Sequence, residues 1–261
     1  MPHERLQDTQ LRDTANTSNL PTLSVVTVVF NGRGEIAKTM DSVLDQDYPN
    51  IEYVVIDGAS TDGTKDIIQQ YEGKIGKFVC EHDYGVYDAM NKAIRIATGE
   101  FILFMNCGDE FASTDAVSSA MRFVQPEGDQ ILFGRWLRRA ADNSLKCCRP
   151  VIERGLFNHQ AVIYSRHIHA WHGDYVNVKG LTTADYLFFA TLFESTAVTY
   201  RVIEIMIAII DVNGVSAGPQ TLSQKYAIDF ICGRVSKLRM LMVLAAHPFY
   251  RLIKAMFGRI R

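Results

Sequence analysis

The sequence predicts an α/β protein in which helices flank a mixed, mainly parallel central sheet and amphipathic helices follow at the C-terminus. Two observations support this prediction. Over residues 23–105, short apolar runs rich in β-branched residues alternate with segments of helical periodicity, an order typical of parallel sheets. Apolar residues make up 48% of the 261 residues, enough for one sizeable domain with its own core.

The first half of the chain consists of four predicted strands, with a helix after each of the first three. Each strand is a short, nearly all-apolar run, as expected of strands buried on both faces: 23–30, 51–56, 77–80 and 101–105. The helices carry apolar residues at helical spacing: 35–46, 64–71 and 87–97. Gly99 is expected to end the last of them.

The second half is less regular. Helices are predicted at 113–123 and 181–194, and strands at 130–138, at the end of 157–164 and over 198–211. Thr182 or Thr183 is expected to cap the 181–194 helix. Residues 223–261 are predicted to be helical, with an interruption at Pro248.

Polar turns follow three of the predicted parallel strands, at 31–34, 57–63 and 106–110. Ligands of open α/β sheets bind beyond the carboxyl ends of the strands, so these turns predict a site. Asp57 ends one strand, and its carboxylate can accept a base N–H or a ribose hydroxyl. Asp57 and the neighbouring Asp62 can equally form a turn or cap a helix.

An acidic turn follows the strand at 101–105. A carboxylate there, Asp109, can hold Mg²⁺ or Mn²⁺ against the diphosphate of a nucleotide sugar, where the cation stabilises the leaving group. A plain strand-ending turn would have the same sequence, so this motif alone decides nothing.

The segments LSVVTVVFNG, YVVIDGASTDGT and DYGVYDAMNKAIRIATGEFILFMNCGDE resemble the family 2 glycosyltransferases of the A-type, Rossmann-like fold. The resemblance covers 23–111 in order and is greatest to the exopolysaccharide and O-antigen branch, which includes colanic-acid-type enzymes. It implies an inverting hexosyltransferase that moves a sugar from a nucleotide-sugar donor to a polyprenyl-diphosphate-linked or other glycan acceptor in cell-surface polysaccharide biosynthesis. It favours a UDP-sugar, with GDP and dTDP left open.

The resemblance also implies which residues bind the donor. Val28 and Val29 replace a Pro-Thr pair of the family, so contacts there are expected from the backbone, and Gly58 replaces a second Asp beside Asp57. Glu35 stands near a family acid that approaches the base or ribose. The full predicted donor site is Val29, Asn31, Glu35, Asp57, Asp88, Asn91 and Asn106.

The remaining roles follow from the same resemblance. Asn106-Cys107-Gly108-Asp109 stands where many relatives have Asp-x-Asp-Asp, which leaves Asp109 as the metal ligand with Asn106 beside it. Asp185, at the start of the 181–194 helix, matches the family's base, and the helix N-terminus favours its ionised form. His159 and Gln160 match a pair near the acceptor and the diphosphate. The Gln-x-x-Arg-Trp motif of processive synthases is absent, which favours single additions.

The C-terminal segment is basic. Residues 225–261 carry eight Lys/Arg against one acid, a net charge of +7 in a chain of net charge −2. The charge alone would suit either a nucleic acid or an anionic membrane. Apolar residues at helical spacing make the segment amphipathic, which favours contact with an anionic membrane surface and no nucleic-acid partner. A helix pair packed on the catalytic domain with a solvated basic face would show the same pattern.

We therefore expect a disordered leader at 1–20, a catalytic domain at 21–222 with donor (21–111) and acceptor (112–222) halves, and basic helices at 223–261. The five cysteines show no paired spacing, and no signal peptide or spanning segment is visible, which predicts a cytoplasmic enzyme on the inner face of the membrane. The alternatives are a non-catalytic sugar-nucleotide-binding scaffold and a nucleotidyltransferase, although 31–34 is short for the phosphate loop of the latter.

Overall fold

A computed structural model describes residues 20–211 and 219–242, apart from the side chains of residues 219 and 220. These residues form two compact units, one of 20–177 with 196–211 and one of 178–195 with 219–242. All but the last residue of the predicted leader lies outside them, and the division at residue 222 stays a prediction.

Nine strands of the first unit form one mixed sheet in the order β3-β2-β1-β4-β8-β6-β9-β5, with β7 paired to β6. Their bounds are β1 (Leu23–Val29), β2 (Ile51–Asp57), β3 (Lys77–Cys80), β4 (Phe101–Phe104), β5 (Glu110–Phe111), β6 (Asp129–Arg139), β7 (Leu145–Cys148), β8 (Val162–Ser165) and β9 (Val198–Asp211). The predicted α/β class with a mixed sheet is confirmed.

The first four strands, β3-β2-β1-β4, are all parallel, and the pairing changes direction at β8, which runs antiparallel to β4 and to β6. Register places Val29 beside Asp57 and Asp57 beside Cys80, so β1, β2 and β3 end side by side. The reversal at β8 brings the residues that precede Val162 to the same edge of the sheet.

Five helices of the first unit connect these strands: α1 (Ile36–Leu44), α2 (Thr64–Gln69), α3 (Val86–Ile96), α4 (Ala116–Met121) and α5 (Ile168–His172). Strand β1 is buried at every position, because helices cover both faces of the sheet. Its one central polar side chain, Thr27, donates a 2.8 Å hydrogen bond to the Met105 carbonyl and also pairs with the Tyr53 hydroxyl. These contacts fix the end of β4 against β1.

The structure differs from the prediction mainly in its shortest strands and helices. Strands β5 and β7 and helix α5 were not predicted, and α4 is shorter than the predicted 113–123 helix. Four residues or fewer form each of the two strands, too few for a clear alternating pattern.

The second unit contains α6 (Ala184–Leu192) and α7 (Pro219–Ile231). Tyr186 on α6 donates a 2.5 Å hydrogen bond to Asp229 on α7. Thr183 occupies the N-cap position of α6, but no side-chain cap is present; its hydroxyl instead donates to Gln224 on α7 at 3.1 Å. The predicted N-cap residue is therefore confirmed, although its hydroxyl bonds to α7 and not to the backbone of α6.

The described part of the basic segment is not one continuous surface helix. Helix α7 ends at Ile231, where Gly233 adopts a positive φ of 71°. Lys225 lies 4.6 Å over the Tyr186 ring, and Arg234 lies 4.4 Å over the Phe193 ring, so these two cations pack within the unit. Residues 243–261, including the predicted interruption at Pro248, lie outside the described residues. Within the described residues, no helix is long and apolar enough to cross a bilayer.

Candidate active site

The turns after β1 and β2 are joined by side chains of both. The backbone N–H of Asn31 donates to Ser60 Oγ at 2.7 Å, and the Asn31 side chain accepts from the Thr61 N–H at 2.9 Å. Asp62 accepts from the Arg33 N–H at 3.0 Å and from the Thr64 N–H at 3.0 Å. Asp62 thus acts as the turn former that the sequence also allowed, whereas the N-cap position of α2 is Gly63.

The turn after β4 meets the same two turns. Thr39 on α1 donates to the Asp109 carbonyl at 2.7 Å and accepts from the Gly108 N–H at 3.1 Å. A Cβ added to Gly32 would lie 2.5 Å from Cys107 Sγ, so only glycine fits between the turns. Burial raises the pKa of the Cys107 thiol to about 12, so this cysteine stays neutral and fills space. The three predicted turns do converge at one edge of the sheet.

Asp57 is wholly buried beneath the β2 turn. Its carboxylate accepts hydrogen bonds from the Ser60 hydroxyl, from the Ser60 N–H at 3.2 Å and from Cys80 Sγ at 3.1 Å. Burial and the Asp57 carboxylate raise the pKa of the Cys80 thiol. A direct base contact by Asp57 would have to replace some of these bonds, and that role stays a prediction.

Three of the predicted donor-site residues, Val29, Glu35 and Asn91, have contacts or exposure that the sequence could not specify. Backbone contacts to a ligand were expected at Val29, and its carbonyl accepts the Gly58 N–H at 2.9 Å. Asn91 is buried and makes two hydrogen bonds with the Tyr175 backbone, donating at 2.8 Å and accepting at 3.0 Å. Glu35 is exposed at the start of α1, close enough to Cys107 to affect the pKa of the thiol. Of the three, Glu35 is the one with an open carboxylate at this edge.

An acidic cluster around Lys92 borders the β2 turn and was not predicted. The Lys92 ammonium lies 2.5 Å from Asp83, 3.0 Å from Glu81 and 3.4 Å from Asp88. Burial alone would lower the pKa of Lys92, but Asp83 and Glu81 raise it above its ordinary value. A Cβ on Gly58 would lie 2.8 Å from Asp83 Oδ2, so Asp83 occupies the space beside Asp57 where a second acid was missing.

Two aromatic side chains stand exposed at the rim of these turns. Phe30, directly after β1, is 66% exposed, and Tyr84, directly after Asp83, is 82% exposed. Phe30 packs against Gly58, since its Cδ2 would lie 3.3 Å from an added Cβ there. An exposed ring in such a place offers a face to a nucleobase.

Two long-range pairs connect the β4 turn to the segment before β8. Asn106 Nδ2 lies 3.3 Å from His159 Nε2, and Gln160 Nε2 donates to Asp109 Oδ2 at 2.6 Å. Burial raises the pKa of Asp109 to about 6, and the Gln160 hydrogen bond acts in the opposite direction. The residues predicted for metal, diphosphate and acceptor therefore lie together.

The oxygen atoms around Asp109 could supply part of the ligand set of a hard divalent cation. No group of three or more His, Cys, Asp or Glu in the described residues is arranged to hold a metal ion. Asn106 Oδ1 and Gln160 Oε1, however, are buried and have no hydrogen-bond partner among the residues that the structure describes. Carboxylate and amide oxygens are ligands for Mg²⁺ and Mn²⁺, with phosphates and water completing the shell.

Asp185 lies in the first turn of α6, in the second unit. Burial lowers the pKa of the neighbouring Lys225, and the negative charges of Asp185 and Asp229 act in the opposite direction. The Lys225 ammonium thus provides a positive charge beside Asp185 within the unit, in addition to the helix N-terminus.

Comparison with known proteins agrees with this geometry. Residues 24–147 match the model of Glycosyl transferase family 2. A PGL/p-HBAD biosynthesis glycosyltransferase of Mycobacterium tuberculosis is 28% identical over 196 residues, which cover 72% of this chain and 76% of the relative.

Two solved structures share the fold. The S. aureus TarS 1-349 complex with UDP-GlcNAc aligns with a TM-score of 0.65 and 17% identity, over 91% of this chain and 73% of that one. The mannosyltransferase PcManGT of Pyrobaculum calidifontis, in complex with GDP-Man and Mn²⁺, aligns with a TM-score of 0.66 and 18% identity, over 94% and 77% of the chains. Both are similar to this chain in fold.

Proposed function

We propose that the chain is a family 2 glycosyltransferase, since the model of that family matches residues 24–147, and that it transfers a sugar from a nucleoside-diphosphate sugar to a lipid-linked or other glycan acceptor in the synthesis of a cell-surface polysaccharide. The observation that supports the proposal most is the meeting of four segments, 31–34, 57–63, 106–109 and 159–160, at one edge of the sheet. The nucleotides of the two structural neighbours favour a UDP- or GDP-sugar.

We propose that the nucleoside occupies the side of this edge formed by the first two turns. We keep Asn31, Glu35, Asp57 and Asp88 in the proposed donor site and add the exposed Phe30 ring and the Asp83 carboxylate. Val29 and Asn91 support this site indirectly. The Val29 carbonyl bonds to the backbone of Gly58, and the Asn91 side chain bonds to the backbone of Tyr175.

The diphosphate is proposed to lie at Asn106, Asp109 and the His159-Gln160 pair. A Mg²⁺ or Mn²⁺ held by Asp109 would supply charge to stabilise the leaving diphosphate. Asp109 is 9% exposed, and Gln160 keeps one of its oxygens in place. Asn106 fixes the His159 ring by the contact at Nε2.

Asp185 is proposed as the general base of an inverting transfer. Its carboxylate would take the proton of the acceptor hydroxyl while that oxygen bonds to the anomeric carbon. The bond between the anomeric carbon and the diphosphate oxygen breaks in the same step, and the nucleoside diphosphate leaves with the electron pair. The adjacent Lys225 charge and the α6 N-terminus favour the ionised carboxylate that this role needs.

We also propose that the second unit docks on an anionic membrane. Lys237 and Arg239 are exposed, and Leu238, Leu241 and Met242 around them are 68%, 49% and 56% exposed. Exposed apolar groups interleaved with cations favour an interface of lipid headgroups and acyl chains. This placement would bring a lipid-linked acceptor to the enzyme.

The proposed activity is tested by measuring nucleotide release from UDP- and GDP-sugars in the presence of bacterial membrane lipids. We expect Asp185→Asn to abolish release while the nucleotide affinity stays that of the parent. Asp66→Asn, which changes an exposed first-turn Asp of α2, is the matched control and should act like the parent. Parent-like release by Asp185→Asn would remove Asp185 as the base, and no release by the parent with any sugar would contradict the function.

A further inference from the structure

Two half-buried amide side chains at the candidate site use their N–H atoms and leave their buried oxygens without partners. Gln160 Nε2 donates to Asp109, and Asn106 Nδ2 faces His159, whereas Gln160 Oε1 and Asn106 Oδ1 have no partner among the described residues. A buried polar atom without a hydrogen bond is rare, and it calls for a bound water, ion or ligand.

The position of these oxygens beside Asp109 indicates which kind of partner they would bind. The two heteroatoms of one amide are close, so Gln160 Oε1 lies within about 5 Å of Asp109 Oδ2, to which its Nε2 is bonded. An unpartnered acceptor beside a carboxylate repels another anion. A cation is a partner that an amide oxygen and a neighbouring carboxylate can share, and Asn106 Oδ1 is the other unpartnered oxygen of the same turn.

We infer that Gln160 Oε1 and Asn106 Oδ1 are direct ligands of the divalent cation, together with the Asp109 carboxylate. This inference rests on the proposed function and deepens it, because it names two neutral amides where acidic side chains would be the ordinary choice. The side chains then contribute a single negative charge.

The charge count has a consequence for binding. The affinity of an oxygen site for a divalent cation rises with the number of charged ligands. A site with one carboxylate is therefore weak alone and becomes strong when a nucleoside diphosphate adds its charges. We expect the protein to bind Mn²⁺ weakly without nucleotide and much more tightly in the presence of UDP or GDP.

The test measures free Mn²⁺ by electron paramagnetic resonance while the ion is titrated into the full chain, alone and with UDP or GDP. Gln160→Leu and Asn106→Leu should each weaken the nucleotide-dependent binding by roughly 10-fold or more. Gln160→Glu keeps an oxygen at the same place with added charge and should bind Mn²⁺ at least as tightly as the parent. Gln69→Leu, at an exposed glutamine of α2, is the matched control. Melting temperatures without metal verify that each variant is folded.

The outcomes separate the inference from the proposed function. Parent-like Mn²⁺ binding by a folded Gln160→Leu overturns the ligand role and leaves the function standing. Weak binding by both Gln160→Leu and Gln160→Glu also overturns it, since the amide N–H to Asp109 would then be what matters. Nucleotide binding by the parent that ignores Mn²⁺ overturns the inference alone, whereas no binding of UDP or GDP overturns both.

Discussion

The amide of Gln160 donates a 2.6 Å hydrogen bond to the Asp109 carboxylate across 51 positions of sequence. It joins the turn that follows β4 to the segment that precedes β8, at an edge where β8 reverses the direction of the sheet. The bond favours the charged form of a carboxylate whose pKa burial nevertheless raises to about 6. The buried position of the Asp109 carboxylate therefore lowers the stability of the folded protein near neutral pH.

We predict that Asp109→Asn raises the stability of the unliganded protein near neutral pH. A carboxyl whose pKa is higher in the folded state than in the unfolded one destabilises the fold above pH 6 and leaves it unaffected below about pH 4. The variant removes a cost on the order of 3 kcal/mol at pH 7. Urea unfolding of parent and variant at pH 4 and pH 7 measures it. A variant no more stable than the parent at pH 7 would contradict the prediction.

The buried His169 should make stability fall in mild acid. Burial lowers the pKa of His169 to about 4, although its Nδ1 lies 2.9 Å from the Gly173 carbonyl. The unfolded chain binds the proton first as the pH falls below about 6.5, so stability is lost between pH 6.5 and pH 4, by about 2 kcal/mol between pH 7 and pH 4.5. Urea unfolding followed by tryptophan fluorescence reports on this unit, which contains Trp136 and Trp171. His169→Gln should flatten the dependence, and an unchanged slope would rule out His169 as its cause.

Gly32 should tolerate no side chain. A Cβ there would lie 2.5 Å from Cys107 Sγ and 2.7 Å from Val29 Cγ2, so Gly32→Ala is expected to cost roughly 1–3 kcal/mol and to weaken nucleotide binding by displacing the β4 turn. Gly34→Ala is the control, since nothing lies within 4 Å of its added Cβ. Adding Cys107→Ala to Gly32→Ala should restore part of the lost stability. Equal stability of the two glycine variants would show that the turns are not in contact.

Anionic vesicles test the proposed membrane surface. Lys237→Glu combined with Arg239→Glu should weaken vesicle binding by at least roughly 30-fold, because each cation near such a surface contributes about 1 kcal/mol and the new carboxylates are repelled. Lys65→Glu with Lys74→Glu makes the same charge change at exposed positions of the first unit and should have little effect. Cosedimentation with phosphatidylglycerol vesicles measures both, and equal losses would indicate an effect of net charge alone.

The sequence predicted the parallel half of the fold well, because β1, β2 and β4 are continuous apolar runs that have few alternatives. It also indicated the turns that follow them. Only the family resemblance put Gln160 near the diphosphate. The local pattern could not place it against Asp109, since that contact depends on the antiparallel pairing of β8 with β4, and no local pattern specifies which strands become neighbours.

The sequence also could not show how individual charged side chains pack. A count of the charges in residues 225–261 could not show that Lys225 and Arg234 pack over the rings of Tyr186 and Phe193 within the second unit. Lys92 could not be singled out either, since its three acidic partners come from the end of β3 and the start of α3 and act only when these meet.

A thermal-shift screen of UDP, GDP, dTDP and CDP, with and without Mn²⁺, tests the central claim most directly. A ligand that binds only the folded protein raises its melting temperature by mass action. We predict a shift with one nucleoside diphosphate that grows with Mn²⁺ in the parent and is lost in Asp109→Ala. No shift with any nucleotide, or a Mn²⁺-dependent shift that Asp109→Ala retains in full, would contradict the assignment of this edge of the sheet as the donor site.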